Sequence, residues 1–172
     1  MNLTAQEEYG LRCLLRVARA DDGAPVTLGA IAESEGLGKQ YVAKLLGVLR
    51  DGGLVDASRG AKGGYRLSRA AEAITLWEAM TALGSRLYSH SFCTSHAGAQ
   101  RECVHTSDCS IRSVWRWIDH ALFAGLSRFT LADLLRPEPE MFRRLAEHGP
   151  RATPPVPPVA DPRVADARAI AT

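Results

Sequence analysis

The chain has 172 residues, 46% of them hydrophobic and 23% charged, and a formal net charge of only +2, so it can bury a core but is no polycation. No apolar run approaches the roughly 18 residues that cross a bilayer. The first ten residues carry Glu7 and Glu8 where a secretory signal would be apolar. Four cysteines are too few for a disulfide-stapled scaffold, which leaves a reducing cytoplasm as the expected compartment.

Thr4 and Glu7 have the spacing of a capping box, so a first helix begins there. Leu11, Leu14, Leu15 and Ala18 follow one face of it, and Gly23 and Pro25 end it. Thr27 caps a short second helix through Ile31 and Ala32, which Gly36 and Gly38 break. Val42, Leu45, Leu46 and Leu49 then stand at i, i+3, i+4 and i+7, the buried stripe of a third helix. Two short strands, Leu54 to Ala57 and Tyr65 to Leu67, flank a segment of three glycines and two cations, Ser58 to Gly64. A fourth helix is expected over Ile74 to Leu83. Ile111, Trp115, Ile118, Leu122, Gly125 and Phe129 recur at steps of three or four, a heptad-like stripe on a long helix. Such a helix, far from the N-terminal core, is expected to form a homodimer seam. Residues 150–172 hold six of the nine prolines and are too polar and proline-rich for a core.

These shifts divide the chain into four pieces. They are a winged helix-turn-helix over 1–84, a cysteine-rich loop over 85–110, a dimerisation helix with a short following helix over 111–136, and a largely disordered tail over 137–172. The fold class is mainly α with one small β-hairpin.

Three helices followed by a glycine-rich hairpin make a pattern in which the third helix enters the major groove and the hairpin is a wing. Charge agrees. Between Gly36 and Ala70 stand seven cations, Lys39, Lys44, Arg50, Arg59, Lys62, Arg66 and Arg69, against Asp51 and Asp56. Seven less two is +5 in this segment, while the whole chain carries +2. A basic patch on a nearly neutral protein is a footprint for phosphate. Lys39, Gln40, Ala43 and Lys44 lie off the apolar stripe. Gln40 has the groups to read adenine, Lys39 and Lys44 suit phosphates, and Arg59 at the wing tip suits a narrow minor groove. Tyr41 and Lys62 complete the expected contact set. The partner is then double-stranded promoter DNA. No nucleophile, base and orienting acid occur together, and Gly63-Gly64 belongs to a hairpin rather than a phosphate-binding strand-to-helix turn, so an enzyme is not expected.

Particular stretches carry a resemblance. They are Leu3-Thr4 with Tyr9, Tyr41 to Leu46, Gly53-Leu54-Val55, Ser58-Arg59-Gly60, Gly63 to Leu67, Ile74-Thr75-Leu76 and Thr130 to Leu134. Residues 1 to about 135 resemble the Rrf family of bacterial regulators, which includes iron–sulfur cluster-assembly regulators of the IscR type and nitric-oxide-sensing repressors of the NsrR type. The resemblance implies a winged-helix dimer, crossed through its long helix, on pseudo-palindromic promoter DNA. It places Gln40 and Ala43 where members read bases and Arg59 where they enter the minor groove. Some members carry glutamate at the position of Ala43.

Cys93, Cys103 and Cys109 form C-x9-C-x5-C before the long helix. Thiolates suit an iron–sulfur cluster, zinc or copper(I). Cys13, among apolar residues of the first helix, reads as a small buried hydrophobe. In the resembled family a three-cysteine loop at this place holds an iron–sulfur cluster, usually with a shorter first gap. Local candidates for a fourth ligand are His90, His96, His105 and Asp108. Cluster-assembly regulators use a histidine where this chain has Arg112. Nitric-oxide-sensing members use an acidic residue near the partner's N-terminus, and Glu8 matches that position. The implied cofactor is a 4Fe–4S cluster, with 2Fe–2S as the alternative. The implied function is a repressor that senses redox state, nitric oxide or iron–sulfur status. The competing reading keeps the DNA binding and gives the cysteines to a thiol–disulfide switch or a structural zinc site.

Overall fold

The computed structural model describes residues 3–20, 23–60, 63–84, 88, 92–99, 102–105 and 108–148. Lys62, His90 and the expected tail beyond 148 lie outside the described residues.

Helix α1 (Ala5–Ala18) starts as the sequence dictates. The Thr4 hydroxyl accepts from the Glu7 amide at 3.3 Å, and the Glu7 carboxylate accepts from the Thr4 amide at 2.6 Å. Helix α2 (Leu28–Glu35) is capped by Thr27 and closed by Gly36 in the left-handed region (φ 66°). Helix α3 (Lys39–Asp51) buries Val42, Leu45, Leu46 and Leu49, the stripe expected of it. These side chains meet Cys13 and Leu14 of α1 and Ile31 of α2, all fully buried.

The hairpin pairs β1 (Val55–Ser58) with β2 (Gly64–Leu67) in antiparallel register, Val55 opposite Leu67 and Ser58 opposite Gly64. A further bridge was not visible in the sequence. Val26 exchanges two 2.8 Å hydrogen bonds with Tyr65, so the segment before α2 holds the outer edge of the wing. Gly64 is required for this approach, because a Cβ there would stand 2.6 Å from the Val26 carbonyl oxygen.

The expected fourth helix is shorter than its apolar pattern. A 3-10 turn spans Ala71–Ala73, Ile74 is extended and fully buried, and α4 (Leu76–Ala82) begins only after the Thr75 cap. Ile74 is drawn out of helix because its carbonyl accepts from the Leu131 amide at 2.8 Å, while Thr75 bridges Thr130. Gly10 lets α4 close on α1, because any Cβ at that position would run into the Leu83 side chain.

After the short turn α5 (Phe92–Ser95), the long helix α6 (Ser110–Leu126) runs for 17 residues. Its stripe is not buried at the N-terminal end, where Ile111 is 62% exposed and Trp115 37%, and Trp117, off the stripe, is 70% exposed. Nearer the C-terminal end, Phe123 meets Trp77 of α4 edge to face at 5.5 Å. Phe129 was assigned to the stripe, yet it lies past the helix end and is buried in the chain's own core.

Helix α7 (Leu131–Leu134) follows, and then α8 (Glu138–His148). The tail is expected to start at 137, so α8 occupies eleven of its first twelve residues. A buried acid holds it there. Asp133 Oδ1 meets Arg144 Nε at 2.6 Å and Arg136 Nε at 3.5 Å, and its other oxygen accepts from the Thr130 amide at 3.0 Å. Among the described residues, no helix is long and apolar enough to cross a membrane.

Candidate nucleic-acid interface and cysteine segment

Helix α3 presents two faces. Its apolar face is spent on the core, and Lys39, Gln40, Ala43 and Lys44 stand exposed on the other. Gly38 caps the helix without a side-chain hydrogen bond, so the first amides stay open to an anion. Tyr41 differs from its neighbours. It is half-buried, and its ring meets Tyr9 of α1 edge to face at 6.1 Å. Arg12 stands over the Tyr9 ring at 5.5 Å and pairs with Glu35 at 3.0 Å, which ties α1, α2 and α3 together.

Pairing sorts the cations of the basic segment. Arg50 is held by Asp51 at 2.8 Å, Arg66 by Asp56 at 3.8 Å and Arg69 by Glu78 at 2.6 Å. Lys39, Lys44 and Arg59 are exposed and make no ion pair among the described residues. These three have no local acid to displace, so they are the cations ready to meet phosphate. They are also three of the positions that the sequence singles out. Lys62 lies outside the described residues.

The cysteines divide as sharply. Cys13 is fully buried, and burial, with Glu35 adding to it, pushes its thiol up to about 11. It stays protonated and inert, in keeping with its reading as core. Cys93, Cys103 and Cys109 are free thiols, each half-buried. Cys109 is the N-cap of α6, and its sulfur accepts from the Arg112 amide at 3.4 Å. Cys93 Sγ lies 3.8 Å from the Tyr88 hydroxyl. The Phe92 ring stacks on His96 at 4.2 Å, and His96 Nδ1 contacts the Phe92 carbonyl at 2.8 Å. His105, Asp108 and Glu8 are exposed. Among the described residues, no three Cys, His, Asp or Glu side chains approach closely enough to share a metal ion. The three thiols still suit a soft metal or an iron–sulfur cluster by their donor chemistry, and all three lie in the one segment that leads into α6.

The sequence missed one residue of this region. Arg69 counts there as one more cation of the patch, but each of its three guanidinium nitrogens donates a hydrogen bond within the protein. The signal that could have found it is Thr75-x-x-Glu78, a second capping box that puts a fixed carboxylate beside the exit of the wing.

The family model described as "Iron-dependent Transcriptional regulator", Rrf2, matches residues 3–137. The chain belongs to the Rrf2 family. It is 34% identical over 136 residues to protein rrf2 of Nitratidesulfovibrio vulgaris, a match that covers 79% of this chain and 88% of that one. The solved structure of T. potens IscR is 30% identical, superposes with a TM-score of 0.59, and covers 78% of this chain and 86% of that one. CymR of B. subtilis, titled the global cysteine regulator, is 27% identical with a TM-score of 0.59, covering 78% and 96%. Rrf2 relatives are transcriptional regulators and not enzymes, and the mainly helical winged architecture expected from the sequence is theirs. The chain is therefore a DNA-binding Rrf2-family regulator of transcription. Helix α8 lies beyond the family match.

Proposed function

We propose that this Rrf2-family regulator acts in the cytoplasm as a homodimeric repressor and senses redox state, nitric oxide or iron–sulfur status through Cys93, Cys103 and Cys109. The observation that carries this reading is the set of three free, half-buried thiols leading into α6, the helix whose N-terminal apolar face lies bare. The IscR relatives support an iron–sulfur cluster as the resident group, 4Fe–4S or alternatively 2Fe–2S. The three cysteines would hold it, with Glu8 of a second copy as fourth ligand. Such a group supplies iron open to oxidants or nitric oxide.

The chain's own residues do the rest. On each copy Gln40 and Ala43 face the bases, while Lys39 and Lys44 grip phosphates on either side. Tyr41 keeps α3 seated on α1 through Tyr9. Arg59 at the wing tip enters the minor groove, and Lys62, three positions further along the sequence, is the other cation expected to contact DNA. A ligand drawn from α1 of the second copy joins the cysteine segment to the helix on which Tyr41 rests. A change at the cysteines then favours one of two dimer shapes, and differential stability becomes differential DNA affinity.

A second reading has its own support. Cys109 sits at the start of α6 with its sulfur on a backbone amide. Here the thiols themselves form the switch. The absorbance spectrum of anaerobically purified protein, with iron and sulfide counts, decides between the two. Visible charge-transfer bands with matching iron and sulfide are expected. A colourless protein that takes up no iron on reconstitution refutes the cluster and leaves the thiol switch or zinc.

A further inference from the structure

The geometry points to Arg69 and Glu78 as a joint through which α4 sets the angle of the wing against the recognition helix. The inference rests on DNA binding alone and not on the chemistry of the cysteines.

The Val26–Tyr65 bridge holds the outer edge of the wing, and its four-residue strands still need a second tie where the chain leaves β2. Arg69 stands two residues beyond β2 and reaches three other segments. Nη1 donates to the Gly53 carbonyl at 3.0 Å, in the turn between α3 and β1. Nε donates to the Ala73 carbonyl at 3.1 Å, in the 3-10 turn. Nη2 donates to Glu78 Oε1 at 2.6 Å, in the first turn of α4. Ser68 adds its hydroxyl to the same Gly53 carbonyl at 2.6 Å. Gly53 has a φ of +70°, so this carbonyl marks the sharp reversal that carries the chain out of α3 and into the wing.

Glu78 is equally committed. Oε2 accepts from the Thr75 amide and from the Thr75 hydroxyl, both at 2.8 Å, which starts α4. Oε1 is given to Arg69. One carboxylate therefore fixes the helix start and the joint together. The same first turn is bound to the far end of the long helix. The Leu76 amide donates to the Phe129 carbonyl at 2.8 Å, and Trp77 packs on Phe123. Any displacement of the C-terminal end of α6 moves α4, and α4 carries Glu78. A guanidinium with three planar donors can hold this three-way contact, and a lysine ammonium cannot reproduce it.

Charge makes the proposal testable by sign. Glu78→Gln removes a negative charge beside a cation of the basic segment, and simple electrostatics then predicts tighter DNA binding. Glutamine still serves in a capping box, so α4 keeps its start. The joint predicts weaker specific binding instead. The probes are a duplex selected by the wild-type full-length protein from a randomised pool, and an unselected duplex of the same length. Anisotropy titrations should show Glu78→Gln and Arg69→Met each losing about tenfold on the selected duplex, and the double variant no more than either single. Arg69→Lys, the milder change if Arg69→Met fails to fold, should lose most of that affinity too. Affinity for the unselected duplex should hold or rise in Glu78→Gln. Hydroxyl-radical footprints should lose minor-groove protection under the wing before major-groove protection under α3. Thermal melts fix a working temperature at which every variant is folded, so lost stability alone would move none of these readings. Equal or tighter binding of the selected duplex by Glu78→Gln overturns the proposal, as does additive loss in the double variant.

Discussion

Removing one unpaired cation from the reading face should change how DNA binding depends on salt, by an amount the structure sets. Lys39, Lys44 and Arg59 are the exposed cations of the basic segment with no acid partner among the described residues. If Lys39 and Lys44 each meet one phosphate and Arg59 in the minor groove displaces one counterion, a dimer releases about six, and log K falls against log salt with a slope of about −5. Between 50 and 200 mM salt the affinity then drops roughly a thousandfold. Lys44→Ala removes two contacts per dimer and should bring the slope to about −3.6. Arg66→Ala is the control, because Arg66 is already held by Asp56 at 3.8 Å and its loss should leave the slope nearly unchanged. Anisotropy titrations on one duplex at four salt concentrations measure both. A slope unaltered by Lys44→Ala, or lowered as far by Arg66→Ala, would show that pairing within the protein does not choose the phosphate contacts.

Two further outcomes test the sensor segment and the C-terminal latch. In chelator-treated protein, iodoacetamide should modify Cys93, Cys103 and Cys109 well before the buried Cys13, as peptide mass spectrometry reads it; prompt modification of Cys13 would contradict its place in the core. Burial alone would raise the acid range of Asp133, but the Thr130 amide and Arg144 outweigh it and hold the carboxyl below its usual value. Its stabilising contribution is therefore complete above about pH 4 and is lost as pH falls through the lowered value. Asp133→Asn should cost about 1–3 kcal/mol near neutral pH and flatten the acid limb of the stability curve. An acid limb as steep as that of the parent protein would assign acid sensitivity to other carboxyls.

The reading head was legible because its signals are local. A capping box, a left-handed glycine and an i, i+3, i+4, i+7 stripe each act within a few residues, and Thr4, Gly36 and Val42 to Leu49 appear as the pattern dictates. What escaped depends on contacts across the sequence. Ile74 has a helical neighbourhood in the sequence, yet Leu131 holds it extended from 57 positions away. Phe129 fits a heptad by spacing and is taken instead by the chain's own core. Helix α8 was hidden among prolines because its anchor, the Asp133 carboxylate, lies outside the segment. The donor chemistry of the three thiols was legible from the sequence, whereas the role proposed for Glu8 rests on the family resemblance, since a ligand supplied by a second copy would leave no spacing in one chain.

The position of α4 connects these levels. A seven-residue helix contributes little stability by itself. Its place comes from Leu83 against Gly10 on α1, Trp77 against Phe123 on α6, and Glu78 against Arg69 below the wing. The N-terminal half of α6 stays bare where it leaves the cysteine segment, and its C-terminal half meets α4 through Phe123 and Trp77. One rigid helix therefore starts at Cys109 and ends on the element that touches both the first helix and the wing. Under the sensing proposed above, a displacement of α6 at its cysteine end would be carried along the helix to its other end, and the head would need no contact with the thiols to respond to them. It needs α4 to remain tied on both sides.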